Sequence, residues 1–418
     1  MRVDAREIKD EIARRWHKTL ARGTDAGTDG ARTGRGMSVS GSTPPSVFVG
    51  SYGYPKVYVG PMVPPVHGDT AIFDRPERWR GLSLGDIVGL RLGMIRGVKQ
   101  VRADLAGSGG DSRYVEQLQE VAMSSAPLGS DISFEGPVQI RTAAQRGRHS
   151  GGDDTGIPFG PIGLVRSAEF SDMPRPSRQI EKLYYDTDAN ASEAMFSLYE
   201  SGIAMSDIQR CLSIGMLGSR RRLVPTKWSI TAADSAISSR LLGHVSECDV
   251  IDSCRVFCHE HLGNAFAVVL FKNRWLFELV EAWHTPAPDV GNSNTSKASG
   301  RASFASDWET SHLQRAPRNT AGAYYAARLG VLEYLAERHV QAGALVLREI
   351  RPEYSVPVGV WQVREGVRAA MKNPVAVADS MADGVRLAAS ATGIATSDWL
   401  GHADTTRLAR QRTLGDYA

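Results

Sequence analysis

The chain has 418 residues, 42% of them apolar and 23% charged, with a formal net charge of +3. That length accommodates two or three domains and a sizeable core, and the near-balance of charge removes any bulk electrostatic case for a nucleic-acid or membrane partner. Four cysteines without a CxxC pair argue against a disulfide framework and fit a reducing compartment. Nine of the 49 basic residues are lysine, which leaves 40 arginines. Guanidinium forks suit phosphate and carboxylate groups, and a GC-rich genome produces the same bias. The opening MRVDAREIKDEIARRWHKTL mixes acids and bases and has no apolar h-region, so it does not read as a signal peptide. The longest apolar run, Ala265 to Phe271, is far too short to span a bilayer. A soluble, cytoplasmic protein is expected.

Taken in chain order, residues 4–21 have an amphipathic helical pattern, and RGTDAGTDGARTGRGMSVSGSTPP reads as a flexible linker. Val47, Val49, Val57 and Val59 alternate at period two around a Gly-Tyr-Gly-Tyr-Pro corner, the pattern of strand–loop–strand. A capping-box-like start at Ser83 with Asp86 opens a helix through LSLGDIVGLRLGMIRG. A glycine-rich stretch from Gly107 to about Gly156 is interrupted by the strand-like DISFEGPVQI. Two helices follow, one through ANASEAMFSLYESG and one starting at Ser206 with Gln209 as its capping partner, then a third from Thr231 to Leu242. CRVFCHEHLGNAFAVVLFKNRWLFELVEAW looks like paired strands turning at Gly263-Asn264. HTPAPDVGNSNTSKASGRASFAS reads as a polar boundary segment; beyond it lie the helix GAYYAARLGVLEYLAERH, the strand GALVLREI and the helix WQVREGVRAAM. The class is α/β (mixed α+β), a large N-terminal domain with a smaller C-terminal helix–strand–helix domain.

Several stretches carry side chains suited to chemistry. GSYGYP puts Ser51, Tyr52 and Tyr54 in a glycine-rich corner, which either offers N–H groups to phosphate and aromatic faces to bases or is a tight turn whose tyrosines cover the core. RRRLVPTKWSIT gathers Arg220, Arg221, Arg222 and Lys227 beside Trp228, a composition for single-strand or backbone contact and equally that of a solvated loop. RPERWRG, with Arg75, and Arg91 and Arg96 on the next helix, is a second basic candidate. In CRVFCHEH a strand turns His259 and His261 to one side and Cys254 and Cys258 to the other, which leaves no tetrahedral ligand set and no expected metal. AGSGGD lacks a GK[ST] ending and reads as a loop. Asp74, Glu135 and Asp234 are either site acids or helix caps. No cofactor and no oligomeric state is legible.

In the same order along residues 45–390, SVFVGSYGYPKVYVGPMVPP, LYESGIAMSDIQRCLSIGMLG, RRLVPTKWSITAADSAISSRL, HLGNAFAVVLF, GAYYAARLGVLEYL and VGVWQVREGVRAAM resemble the successive blocks of the archaeal Nre family. That resemblance implies a DNA-damage repair role, a large N-terminal and a smaller C-terminal domain, and a C-terminal peptide that binds the sliding clamp (PCNA); it carries no catalytic residues. It also divides the chain: 1–44 helix and linker, 45–283 N-terminal domain, 284–306 linker, 307–403 C-terminal domain, 404–418 clamp-binding tail. Many members begin with a cysteine-rich, zinc-finger-like stretch, but no cysteine precedes Ser46 here. Clamp-binding (PIP-type) peptides follow Gln-x-x-aliphatic-x-x-aromatic-aromatic; Gln411, Leu414 and Tyr417 match, and Ala418 stands where the second aromatic belongs. In a 3₁₀ turn positions i and i+3 eclipse, so Leu414 and Tyr417 form one apolar prong. Arg407, Arg410 and Arg412 just upstream suit an acidic partner surface. The leading expectation is a clamp-recruited repair factor contacting DNA through the tyrosine corner and the Arg220–Trp228 stretch. The alternatives are a nucleotide- or nucleic-acid-processing enzyme with its pocket at that corner, and a non-catalytic adaptor on the clamp.

Overall fold

The computed structural model describes residues 37–104, 112–138, 159–171, 173–284, 302–313 and 316–405. The expected helix over 4–21, the AGSGGD loop and the tail residues Gln411, Leu414 and Tyr417 lie outside these residues. By its contacts the chain divides into two units, residues 1–233 with 356–358, and residues 234–355 with 359–418.

The first unit is built on a six-stranded sheet. Its strands are β1 (Ser38–Thr43), β2 (Val47–Val49), β3 (Lys56–Val63), β4 (Ile95–Arg102), β5 (Leu128–Phe134) and β6 (Ile162–Phe170), in the order β1-β5-β6-β4-β3-β2. Every neighbouring pair is antiparallel except β4 and β6, which run parallel. Val63, Ile95, Ile132, Phe134 and Val165 form one apolar cluster on it.

β1 corrects the sequence reading, which placed Met37–Pro45 in a linker. Its inward positions are Val39, Gly41 and Thr43. At Gly41 a Cβ would fall 2.1 Å from the Pro64 carbonyl oxygen, and Thr43 Oγ1 lies 2.6 Å from Ser130 Oγ. Glycine, serine and threonine are here the small residues that a close strand crossing requires, although in composition they look like linker.

Helix α1 (Leu84–Leu92) starts at the expected capping box: Ser83 Oγ accepts the Asp86 N–H, and the Asp86 carboxylate accepts the Ser83 N–H. Arg96, expected on the same helix, is instead on β4 and buried, with the Phe48 and Phe159 rings 5.0 and 4.9 Å from its guanidinium. The remaining helices of this part are α2 (Ser112–Met123), α3 (Arg178–Tyr185), α4 (Ala191–Glu200) and α5 (Met205–Ser213). α4 has a capping box of Asn190 and Glu193. α5 begins at Met205, not Ser206, and Gln209 plays no capping role. The distant Glu77 accepts the Ser206 N–H and hydroxyl at 3.0 and 2.9 Å, a long-range cap that no local motif announces. α6 (Thr226–Val245) begins directly after Pro225, five residues before the expected Thr231, so Trp228 sits in its first turn.

The second unit carries β7 (Asp249–Val250), β8 (Cys254–His261), β9 (Asn264–Phe271), β10 (Leu276–Trp283), β11 (Ser303–Thr310), helix α7 (Ala321–Glu337), β12 (Val340–Gln341), β13 (Gly343–Ile350), α8 (Trp361–Ala370), β14 (Ala376–Ala378), α9 (Met381–Ser390) and α10 (Thr396–His402). Six of these strands form a sheet in the order β11-β10-β13-β9-β8-β14, antiparallel apart from β10 with β13. β9 and β13 are buried along their whole length. Their alternating side chains meet helices on both faces: Val269, Leu345 and Leu347 pack with Val385 and Trp399 of α9 and α10, and Phe266 lies under Gly366 of α8. Continuous apolar strands such as NAFAVVLF follow from this double cover, each buried side chain contributing about 1.5–3 kcal/mol. The β8–β9 turn is centred on Leu262 and Gly263, both at positive φ (50° and 70°), one residue before the expected Gly263-Asn264. β11 begins inside the expected boundary segment, because the buried Ala302 and Phe304 belong to the core on the α9–α10 face. Among the described residues no helix is long and apolar enough to cross a membrane.

Candidate nucleic-acid interface

The corner Gly50–Pro55 is a closed loop between β2 and β3. The Gly50 N–H donates to the Tyr58 carbonyl at 2.8 Å and the Lys56 N–H to the Gly53 carbonyl at 2.9 Å, with Gly53 at a φ of 81°, a conformation natural to glycine. Closing the loop in this way turns its tyrosines outward: Tyr52 is 60% and Tyr54 43% exposed. Ser51 is half-buried beside them. The reading in which these tyrosines cover the core therefore does not describe them.

The Arg220–Trp228 stretch runs alongside this corner, 170 residues away in sequence. Tyr54 and Trp228 meet with ring centroids 5.7 Å apart and planes at 52°, and Trp228 is 46% exposed. Backbone bonds stitch the stretches together. The Val49 N–H donates to Thr226 Oγ1 at 3.0 Å, the Ala103 N–H to the Pro55 carbonyl at 2.8 Å, and the Leu223 N–H to the Ala103 carbonyl at 2.7 Å. Each of the three chains joined at Pro55, Ala103 and Leu223 has a basic residue next to the junction: Lys56, Arg102 and Arg222, all exposed. Lys56 and Arg102 are cross-strand partners. Arg102 grips Asp104 through Nε and Nη2 at 3.0 and 2.7 Å; that contact, with Arg222 adding to it, holds the Asp104 carboxyl below its usual range. Lys227 is half-buried in the first turn of α6, and Arg220 is exposed on the preceding loop. Arg102 escapes a sequence reading because its register with the tyrosine corner is set by strand pairing, whereas Lys56 adjoins the corner in sequence.

Other expected residues go elsewhere. Arg221 folds back on α3, donating to the Asp186 carbonyl at 3.2 Å and to the Tyr184 carbonyl, with its guanidinium 5.2 Å from the Tyr184 ring centre. It satisfies carbonyls at the helix end and presents no open fork. Arg75 is held by Asp207 at 2.7 Å, Arg78 by Asp69 at 3.1 Å, and Arg91 lies 5.0 Å over the Trp79 ring. Arg75, Arg91 and Arg96 of the second basic candidate are thus engaged within the fold, whereas Arg78 pairs at the surface and Arg80 is exposed. The acids have separate surroundings. Asp74 accepts the Ser46 hydroxyl at 2.5 Å, and burial pushes its carboxyl up against the pull of Arg91. Glu135 is exposed just beyond β5, and Asp234 belongs to the second unit, paired with Arg364. His259 and His261 lie on one side of β8 with ring centroids 6.2 Å apart. Among the described residues no three His, Cys, Asp or Glu side chains form a metal-ligand set.

Chemically, the corner offers aromatic faces open to solvent, a row of cations beside them and one carboxylate already neutralised by its neighbours. Comparison with known proteins bears on what that means. Residues 23–288 match the family model "Archaeal Nre, N-terminal" and residues 309–417 match "Archaeal Nre, C-terminal". The chain is 38% identical over 379 residues to DNA repair protein NreB of Archaeoglobus fulgidus, covering 91% of this chain and 92% of that protein. It is 35% identical over 368 residues to DNA repair protein NreA of Haloferax volcanii, covering 85% and 83% of the two chains. The same identity, over 367 residues and 85% of each chain, relates it to DNA repair protein NreA of Archaeoglobus fulgidus. No solved structure matches it.

Proposed function

Because the chain belongs to the archaeal Nre family, we propose that it is a DNA-damage repair factor, brought to the sliding clamp (PCNA) by its C-terminal Gln411–Leu414–Tyr417 peptide and touching DNA through the Tyr54–Trp228 corner. The repair role rests on the named relatives. The observation that carries the DNA contact is that two stretches remote in sequence, each suited to nucleic acid, form one exposed surface with Lys56, Arg102 and Arg222 along it.

Phosphate neutralisation releases condensed counterions, so log K falls linearly with log salt, by about 0.7 per phosphate contact on a single strand and about 0.9 on a duplex. Titrating the full chain against a fluorescent oligonucleotide at several salt concentrations tests the proposal. The expected slope is steeply negative. Lys56→Gln combined with Arg222→Gln is expected to reduce it by about 1.4–1.8, while Arg75→Gln, which removes an internally paired group, leaves it unchanged. A flat salt profile, or a slope insensitive to Lys56 and Arg222, rejects the assignment.

A further inference from the structure

We infer that the Tyr52/Tyr54/Trp228 corner takes unpaired bases, so that its nucleic-acid partner is a single strand or a strand whose bases have left the helix, and not an intact duplex. This deepens the proposed DNA contact and rests on it. In a closed duplex the base faces are covered by their neighbours, and a protein reads only groove edges and phosphates. Groove reading uses an element slim enough to enter, with hydrogen-bonding tips at its front. This corner has the opposite design. It exposes three large aromatic side chains, 60%, 43% and 46% open to solvent, in a chain whose other tryptophans include Trp79, Trp275 and Trp399 at 1% exposure or less. Exposed aromatic side chains that cluster beside charged residues mark an interaction surface, and the π-face of a base is a sequence-tolerant cover.

The rings also differ in what they can accept. Tyr54 and Trp228, tilted at 52°, support each other edgewise and leave no parallel slot between them, so a base stacks on the outer side of the pair. Tyr52 is exposed two residues before Tyr54, across Gly53 at a φ of 81°, and we assign it a second base beside the Tyr54–Trp228 pair. The cation row at Lys56, Arg102 and Arg222 runs over adjacent, hydrogen-bonded chains, which lie about 4.8 Å apart in such pairings. A strand stacked on these rings has its phosphates along that row. Aromatics beside a basic track are the usual equipment of single-strand surfaces.

The discriminating probe is a single strand from which the bases have been removed. The full chain is titrated with an oligothymidine, with a base-free sugar–phosphate oligomer of the same length, and with a duplex. Oligothymidine is expected to bind about 5- to 150-fold more tightly than the base-free strand for each base stacked, and more tightly than the duplex at equal salt. Tyr52→Ala and Trp228→Ala each shrink the gap between oligothymidine and the base-free strand. Trp228→Phe, which keeps a ring, restores most of it and shows that the alanine variant had not merely misfolded. Lys56→Gln weakens both strands alike. Equal affinity for the strand with and without bases, or a duplex preference untouched by Trp228→Ala, overturns this inference while the DNA contact itself stands. Failure to bind any of the three oligomers overturns both.

A separate observation concerns the root of the tail. We infer that Glu278 is a positioning residue that fixes Asp404 and Thr405, just upstream in sequence of the peptide assigned to the clamp, on the second unit. Glu278, on β10, is wholly buried, and its carboxylate takes three donors from two successive residues. The Asp404 N–H reaches Oε1 at 2.9 Å, the Thr405 N–H reaches Oε2 at 2.7 Å, and the Thr405 hydroxyl also donates to Oε2. Trp308 of β11 donates from Nε1 to Asp404 Oδ2 at 3.0 Å, and His402 stacks on Phe304 with centroids 4.0 Å apart. Five contacts on the β10–β11 pair therefore hold His402, Asp404 and Thr405 in place.

Hydrogen exchange on the full chain tests this without the clamp. The Asp404 and Thr405 amides are expected to be at least tenfold protected. Glu278→Gln, which sets an N–H₂ against the Thr405 donors, and the milder Thr405→Val both lower that protection while α7 keeps its own. Free-peptide exchange at Asp404 and Thr405 in the unaltered protein, or protection indifferent to both substitutions, overturns the inference. A tail that never binds the clamp counts only against the proposed function.

Discussion

Replacing Arg364 with alanine is expected to destabilise the second unit by about 3–5 kcal/mol, the range for removing one partner of a buried ion pair. Arg364, on α8, is 1% exposed, and its Nη1 lies 2.7 and 2.9 Å from the two carboxylate oxygens of Asp234, which is fully buried on α6. Without the guanidinium the buried carboxylate loses its hydrogen-bonded counter-charge and keeps only the weaker pull of Arg368, and burial already pushes its pKa up. Asp234→Asn is expected to be milder, because the amide still accepts from the guanidinium and Glu365 lies 3.6 Å from Arg364 Nε as a remaining counter-charge. Combining Arg364→Met with Asp234→Leu is expected to recover most of the loss, since apolar replacements of similar size remove the desolvation penalty from both sides. Urea denaturation of the native protein and the three variants measures each change. A loss below about 1 kcal/mol for Arg364→Ala contradicts the assignment. The result also bears on function, because Asp234 is one of the acids a sequence reader nominates for chemistry, and its geometry is that of a structural partner.

The second large effect is expected in the tail. Changing Leu414 and Tyr417 together to alanine in a peptide of residues 404–418 removes both apolar groups of the prong. Each contributes roughly 1.5–3 kcal/mol on burial, so the pair is worth about 3–6 kcal/mol, or about a hundred- to ten-thousandfold in dissociation constant. The native peptide starts from a weakened position, because Ala418 forgoes a second aromatic of similar value. Restoring it with Ala418→Phe is expected to tighten binding about ten- to a hundredfold. Titration of the three peptides against the organism's sliding clamp measures both changes. A native peptide that binds no better than the Leu414→Ala/Tyr417→Ala peptide ends the claim that this segment is a hook.

Neither prediction depends on the corner, and the tail prediction does not depend on the folded body. The family relation supports a DNA repair role for the chain as a whole. The corner and the tail are two separable hypotheses about how that role is carried out, and the peptide and oligonucleotide titrations assign a failure to one or the other.

Much of the secondary structure was legible from residue order because its causes are local. The Ser83–Asp86 capping box, the period-two valines at 47–59 and the apolar runs of β9 and β13 declare themselves within a few residues. So do the tyrosine corner and the Arg-Lys-Trp stretch as separate candidates. The polar strands were not legible: β1 and the start of β11 have the composition of linkers, and only partners on β5 and β10 make them strands. Nor did local sequence show that Arg221 and Arg75 are engaged within the fold while Lys56 is exposed and Arg102 pairs with Asp104 at the surface, or that Trp228 meets Tyr54. An arginine at the surface of a motif looks the same whether a carbonyl or a carboxylate awaits it from 30 or 130 residues away. Spacing along the chain encodes faces and caps, whereas the company a charged or aromatic side chain keeps is set by strand register and helix packing between distant segments.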